Sequence, residues 1–271
     1  MLLDNAGCLS KNSSEDAANP VPVGLNDPAG PGFTTPLKLR ADEVHVWLAT
    51  LDDYPADSLR LLLSDDELAR ATRFHFDKDR NHYTVTRGLL RKLLAAYLSL
   101  PAGGLRFSYA EKGKPALEES QRSSLNFNLA HSHGMAVYAF SRNREVGVDL
   151  EFIREDLADE KIAERFFSPS EIDALAKLPA DLRKQAFFNC WTRKEAYIKA
   201  RGEGLSMPLN EFDVSLRPGE EAALLRNHKE PGEVRRWSMQ SISVPAGYVA
   251  ALVAEGHDWK VKAFTVDQFS G

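Results

Sequence analysis

Apolar residues follow two rhythms along the chain, and the switches between them mark the elements. Val44, Val46 and Leu48 alternate with other side chains, which is the period of a strand. Ser64 with Glu67 three residues later is a capped helix start. A helical period then fills residues 79–99 until Pro101, Gly103 and Gly104 end it. Residues 127–131 and 135–140 read as strands, as do 234–244, 248–253 and 260–266. Residues 1–36 show neither rhythm; with Pro20, Pro22, Pro28, Pro31 and Pro36 among Ser, Asn and Gly, they are expected to form a flexible tail.

The order of elements recurs. Sliding the chain against itself aligns Glu43-Val44-His45-Val46-Trp47-Leu48 with Glu145-Val146-Gly147-Val148-Asp149-Leu150. Slightly longer shifts align Ser64-Asp65-Asp66-Glu67-Leu68 with Ser168-Pro169-Ser170-Glu171-Ile172, and then Thr86-Arg87 with Thr192-Arg193. Three matches in one order at nearly constant offset predict an α+β fold of two pseudo-symmetric lobes from an internal duplication. Each lobe is expected to be a small, mostly antiparallel sheet packed against a long helix, with a cleft between them. The expected N-terminal lobe is 37–143, and 144–271 is the C-terminal lobe.

Composition narrows the class. The chain has 271 residues, 43% of them hydrophobic, enough for one large domain or two small cores and too much for a disordered polymer. No apolar run approaches the roughly 20 residues that span a bilayer, so no membrane insertion is expected. The net charge of −5 lacks the basic field that a general nucleic-acid binder needs. Cys8 and Cys190 suit neither a disulfide framework nor a zinc site, and residues 1–36 hold no basic start or apolar block of a signal peptide, which points to the cytoplasm.

Where the two copies disagree, the second has gained acids. Trp47 aligns with Asp149, Ala49 with Glu151 and Leu89 with Glu195. Asp149 and Glu151, two apart on a strand, leave the same face and can share a cation; the alternative is a strand turning its polar face to water. Glu195 follows Phe188 and Trp191 at helical spacing and so lies on an aromatic stripe, where a carboxylate needs a partner or a metal. Lys199, one turn on, offers the alternative of an i,i+4 ion pair. Three carboxylates from two elements suit Mg²⁺, which completes its shell with waters and substrate phosphates. Lys199, the basic turn Lys112-Gly113-Lys114-Pro115, Arg80 and Arg87 could then meet phosphate oxygens, and His131 with Ser132 and His133 suggests a polar pocket edge. No P-loop, G-x-S-x-G or H-E-x-x-H occurs, which removes the commonest NTPase, hydrolase and zinc-protease readings.

Gly147-Val148-Asp149-Leu150-Glu151 and Trp191-Thr192-Arg193-Lys194-Glu195-Ala196-Tyr197-Ile198-Lys199 resemble the paired motifs G-[VI]-D-[IVL]-E and W-x-x-K-E-A-x-x-K of the 4'-phosphopantetheinyl transferases. Arg73-Phe74-His75-Phe76, Gly113-Lys114-Pro115, Asn128-Leu129-Ala130-His131-Ser132 and the stretch from Phe167 to Glu171 fit further family patterns. The likeness covers about residues 40 to 255 and is nearest the two-lobed, surfactin-type branch.

The resemblance implies Mg²⁺-dependent transfer of phosphopantetheine from coenzyme A to a serine of an acyl or peptidyl carrier protein, releasing adenosine 3',5'-bisphosphate. The carriers implied serve fatty-acid, polyketide or nonribosomal peptide synthesis, including secondary metabolism, and a chain with two lobes needs no partner subunit. By position it implies Asp149, Glu151 and Glu195 as metal ligands, Glu195 also as base, and Lys199 on the diphosphate. Arg80, Lys114, His131 and, less directly, Arg87 would bind coenzyme A phosphates. Ala130 and His82 depart from the family pattern, where serine and arginine are usual. Two rivals are a silent coenzyme A binding or carrier-docking module, against which the intact acids and Lys199 argue, and a Mg²⁺-dependent diphosphate hydrolase.

Overall fold

A computed structural model describes residues 21–23, 36–109, 114–121, 123–154, 160–202 and 207–266. The chain opens with β1 (Val21–Val23), β2 (Glu43–Thr50), α1 (Ala56–Arg60), α2 (Asp65–Ala71) and α3 (Asp77–Leu98). Next come β3 (Phe107–Tyr109), β4 (Pro115–Leu117), β5 (Leu125–Ser132), β6 (Met135–Arg142) and β7 (Val146–Phe152). The helices α4 (Glu160–Phe166), α5 (Pro169–Ala176) and α6 (Ala180–Arg201) follow. After them come β8 (Phe212–Val214), β9 (Leu224–Asn227), α7 (Glu233–Arg236), β10 (Trp237–Ser241), β11 (Tyr248–Glu255) and β12 (Lys260–Val266).

Two sheets carry the fold, one in the order β1-β12-β2-β6-β5 and the other β10-β11-β7. The second is antiparallel throughout, as are β2, β6 and β5 of the first. Alternation along each strand sorts the side chains into layers. On β2, Trp47 and Ala49 join Leu89, Leu90, Leu93 and Leu94 of α3 in one core, while Val44, Val46 and Leu48 face the other way. Each such fully buried leucine contributes about 1.5–3 kcal/mol. Val146, Val148 and Leu150 of β7 meet Val44, Val46, Val137 and Leu252 in the layer shared by both sheets. That leaves Gly147, Asp149 and Glu151 on the opposite face of β7, against which α6 packs. The α+β architecture and the paired long helices, α3 and α6, agree with the sequence reading.

Both expected helix caps form. Ser64 with Glu67 and Ser168 with Glu171 close capping boxes, and each capping acid is then buried against the long helix of its own half. Glu67 accepts from Arg87 Nε at 2.6 Å and Arg91 Nε at 2.6 Å, and Glu171 lies 2.7 Å from Lys194 Nζ. Removing one partner of such a pair strands the other charge, at a cost of about 3–5 kcal/mol.

Three features differ from the expectation. Residues 234–244 do not form one strand: α7 precedes β10, because buried Glu233 must curl back to accept from Trp237 Nε1 at 2.7 Å and from Tyr197 Oη at 3.3 Å. β12, reckoned with the second lobe, runs parallel to β2 in the first sheet, where Phe264 stacks on Trp47 at 4.6 Å between ring centroids. Finally, β1 lies within the segment expected to be a featureless tail and pairs in parallel with β12; the rest of residues 1–35 lies outside the described residues.

Candidate active site

The site begins with a missing side chain. A Cβ on Gly147 would lie 2.2 Å from the Ala196 carbonyl oxygen and 2.3 Å from the Ala200 nitrogen, so only glycine lets β7 lie directly on α6. Two residues further along β7, Asp149 reaches α6, and Lys199 Nζ is 2.6 Å from its Oδ1. The ion pair therefore runs across from helix to strand rather than along the helix to Glu195.

Glu195, one turn before Lys199, completes the cluster. Burial pushes its carboxyl up to about 7, with Asp149 and Glu151 adding to the effect and Lys199 opposing it. The Glu151 carboxyl is raised too, first by burial and then by Asp149, and is relieved by Ser132 and Lys199. Burial opposes the charge on Lys199, but Asp149, Glu195 and Glu151 outweigh it and raise its ammonium. Three acids thus share one lysine. Asp149 Oδ2 is buried and has no hydrogen-bond partner among the described residues.

β5 brings the other half of the site. His133 and Gly134, with φ of 46° and 84°, form the tight turn that folds β5 onto β6 and leaves His131 and Ser132 at the strand end. Asn128 Oδ1 accepts the Val148 N–H at 2.9 Å, and Ser132 Oγ accepts the Phe152 N–H at 3.2 Å while donating to Glu151 at 3.1 Å. His131 is exposed to solvent, yet crowding by its neighbours, then Lys199 and His82, push its imidazole down while Asp79 pulls the other way. His82 is in turn 2.7 Å from Asp52 Oδ1. Arg80, on the same turns of α3 as Asp79 and His82, pairs with Asp77. Groups from both halves of the chain therefore converge here: His131 and His82 from the first, Asp149, Glu151, Glu195 and Lys199 from the second.

Other expected residues lie elsewhere. Arg87 is buried between Glu67, at 2.5 Å, and the Tyr109 hydroxyl, at 3.1 Å, so its guanidinium serves the first core rather than facing the acids. The pattern of basic residues could not reveal this, since the cause is the burial of Glu67. Lys114 is 3.4 Å from Glu145 and lines a cavity of about 370 Å³ with Pro115, Phe127 and Arg201. Glu145 precedes Asp149 by four residues, roughly 13 Å along a strand. Lys112 and Gly113 lie outside the described residues. Ala130 is buried in the layer between the sheets, a packing position, and the His82 imidazole is held by Asp52. Among the described residues, no group of three His, Cys, Asp or Glu side chains stands ready to hold a metal ion, Asp149 Oδ1 being engaged by Lys199. The sequence reading quoted Ser132 and Gly147 within motifs but assigned them no part. The glycine two positions before an acid on a strand facing a helix was the available signal.

Comparison with known proteins accords with this arrangement. Residues 145–253 match a family described as the 4'-phosphopantetheinyl transferase superfamily, and residues 47–143 match one described as 4'-phosphopantetheinyl transferase, N-terminal. The 4'-phosphopantetheinyl transferase HetI of Nostoc sp. is 39% identical over 83% of this chain and 93% of its own length. The 4'-phosphopantetheinyl transferase psf-1 of Bacillus pumilus is 35% identical over 72% of this chain and 83% of its own. A solved holo-[acyl-carrier-protein] synthase of Thermotoga maritima is 24% identical over 41% of this chain and 62% of its own, with a TM-score of 0.34, too low to carry an argument. On the strength of the two family matches and these relatives, the chain belongs to the 4'-phosphopantetheinyl transferase superfamily, in its surfactin-type branch.

Proposed function

We propose that this enzyme moves the 4'-phosphopantetheine arm of coenzyme A onto a serine hydroxyl of an acyl or peptidyl carrier protein. The serine oxygen forms a bond to the phosphorus that bears the arm, the diphosphate P–O bond breaks, and adenosine 3',5'-bisphosphate leaves. The observation that carries this reading is the cluster of Asp149, Glu151 and Glu195 around a single lysine, with Asp149 Oδ2 unsatisfied. Such a surplus of carboxylate oxygens, buried at Asp149 and half-buried at Glu151 and Glu195, fits Mg²⁺, which would be held by these three residues and would neutralise the diphosphate for in-line attack. Lys199 stands beside them to bind diphosphate oxygens, and Glu195 is the candidate to take the serine proton. His131 and Arg80 are the candidates for coenzyme A phosphates, and Lys114 is the candidate for a more distant part of the molecule. Arg87, paired with Glu67, is left out of this set.

Both halves of the site come from one chain, which supports a monomer. Among the described residues no helix is long and apolar enough to cross a membrane. We read the enzyme as acting in the cytoplasm, on carriers of fatty-acid, polyketide or nonribosomal peptide synthesis. Incubation with coenzyme A, Mg²⁺ and an apo carrier protein should add one phosphopantetheine to one serine, seen by intact-mass spectrometry. Cleavage of coenzyme A with no mass gain on several different carriers would instead favour a diphosphate hydrolase.

A further inference from the structure

Among the described residues, β5 is an edge strand of the first sheet and β7 an edge strand of the second, and no backbone ladder joins them. Two side chains of β5 take the ladder's place. Asn128 receives the Val148 amide and Ser132 receives the Phe152 amide, each exactly one strand segment of twenty residues apart in sequence, so the strands run in step. At Ser132 one atom does both jobs: the oxygen that accepts from Phe152 also donates its hydrogen to Glu151 Oε2 at 3.1 Å. The polarity of this chain is fixed without choice of tautomer: an amide can only donate and a carboxylate can only accept, so the hydroxyl must accept from Phe152 and donate to Glu151.

Two consequences follow for the carboxylate. One of its oxygens is pinned on the side of the first lobe, which restricts the rotation of a side chain that otherwise has three free torsions. The pin also comes from an element outside β7 and α6, so the aim of Glu151 depends on β5 staying docked against β7. We propose that Ser132 is a positioning residue for the divalent cation: held between the Phe152 amide and the Glu151 carboxylate, its hydroxyl sets the orientation of Glu151 and ties it to the docking of the two sheets. This rests on the proposed reading of Glu151 as a metal ligand. Hydrogen bonds to ligating carboxylates of this kind are typically worth about 10- to 100-fold in metal affinity.

The test is calorimetric titration of Mg²⁺ into the full-length protein, saturated with coenzyme A and without carrier, for wild type, Ser132→Ala, Ser132→Thr, Glu151→Gln and the Ser132→Ala/Glu151→Gln double variant. Ser132→Ala should weaken Mg²⁺ about 10-fold, Ser132→Thr should restore most of the loss, and the double variant should bind as Glu151→Gln does. The Mg²⁺ concentration that gives half-maximal transfer by Ser132→Ala should rise by about the same 10-fold, a shift that a merely structural serine would not produce. Should Ser132→Ala fail to fold, Ser132→Cys keeps the volume with a poorer donor and carries the same comparison. Wild-type Mg²⁺ affinity in Ser132→Ala, or an equal loss in the Glu151→Gln background, would overturn the inference while leaving the metal reading standing. A wild-type protein that binds no Mg²⁺ would remove both.

Discussion

In the proposed reaction Glu195 acts through its charge, and that charge is dispensable to the fold. Leu89 fills the corresponding place on α3 and is fully buried in an apolar core, so a long helix of this design accepts an uncharged side chain there. Glu195→Gln should therefore stay folded and retain coenzyme A, while transfer falls about 10²-fold or more. Thermal melting, coenzyme A affinity and single-turnover transfer measured on one preparation check this; near-normal transfer at saturating Mg²⁺ would remove Glu195 from the reaction. That Asp149 and Glu151 share a face of β7 was legible from spacing, because the period of a strand dictates it; that Lys199 meets Asp149 rather than Glu195 was not. Arg87 was not legible either. Its place is decided by Glu67, twenty residues earlier, and a helical period says nothing of which acid will be buried against it.

The two helix caps were readable in full, since a capping box is a local pattern whose physics is complete within four residues. Elements decided by distant partners were less so: α7 exists because Glu233 is needed by Trp237 and Tyr197, and periodicity placed β12 as a strand without saying in which sheet. The contact of β7 with α6 is the element-scale feature on which the site depends. Gly147→Ala sets a methyl group against two backbone atoms of α6, which cannot rotate away as a side chain would. We expect a loss of about 1–3 kcal/mol or more. Transfer should fall further than the folded fraction does, because β7 must back off and carry Asp149 away from Lys199. Urea unfolding alongside transfer by the surviving folded protein measures both; an unchanged urea midpoint would contradict the close packing.

Besides the apolar layer shared by both sheets, a few polar crossings join the halves of the molecule. Arg144, at the junction, donates to the Glu255 carbonyl on one side and to the Ala41 carbonyl, at 3.0 Å, on the other. β12 is fastened to β2 by Lys262, 2.7 Å from Glu43. Burial works against the Glu43 carboxylate, but Lys262, His45 and the Arg40 amide outweigh it and hold its carboxyl down at about 2, below the ordinary 4.5. A depressed acid stabilises the fold above its unfolded value and loses that contribution as pH falls from 4.5 towards 2. Glu43→Gln should thus cost about 1–3 kcal/mol at pH 7, and the gap to wild type should narrow steadily below pH 4.5. Chemical denaturation at pH 7, 5 and 3.5 reads this, and a gap independent of pH would mean that the carboxylate's charge plays no part.

The position of β12 also sets an order of events in time. β2 emerges early in synthesis, yet the strand that covers its outer edge follows some 200 residues later. At about 5–20 residues per second, that is a delay of roughly 10–40 s. Throughout it, a strand carrying Val44, Val46 and Trp47 offers unpaired amides and carbonyls to any passing chain. The nascent protein is therefore most prone to mispairing before β12 arrives, and a fragment cut at the junction between the halves would keep that open edge for good.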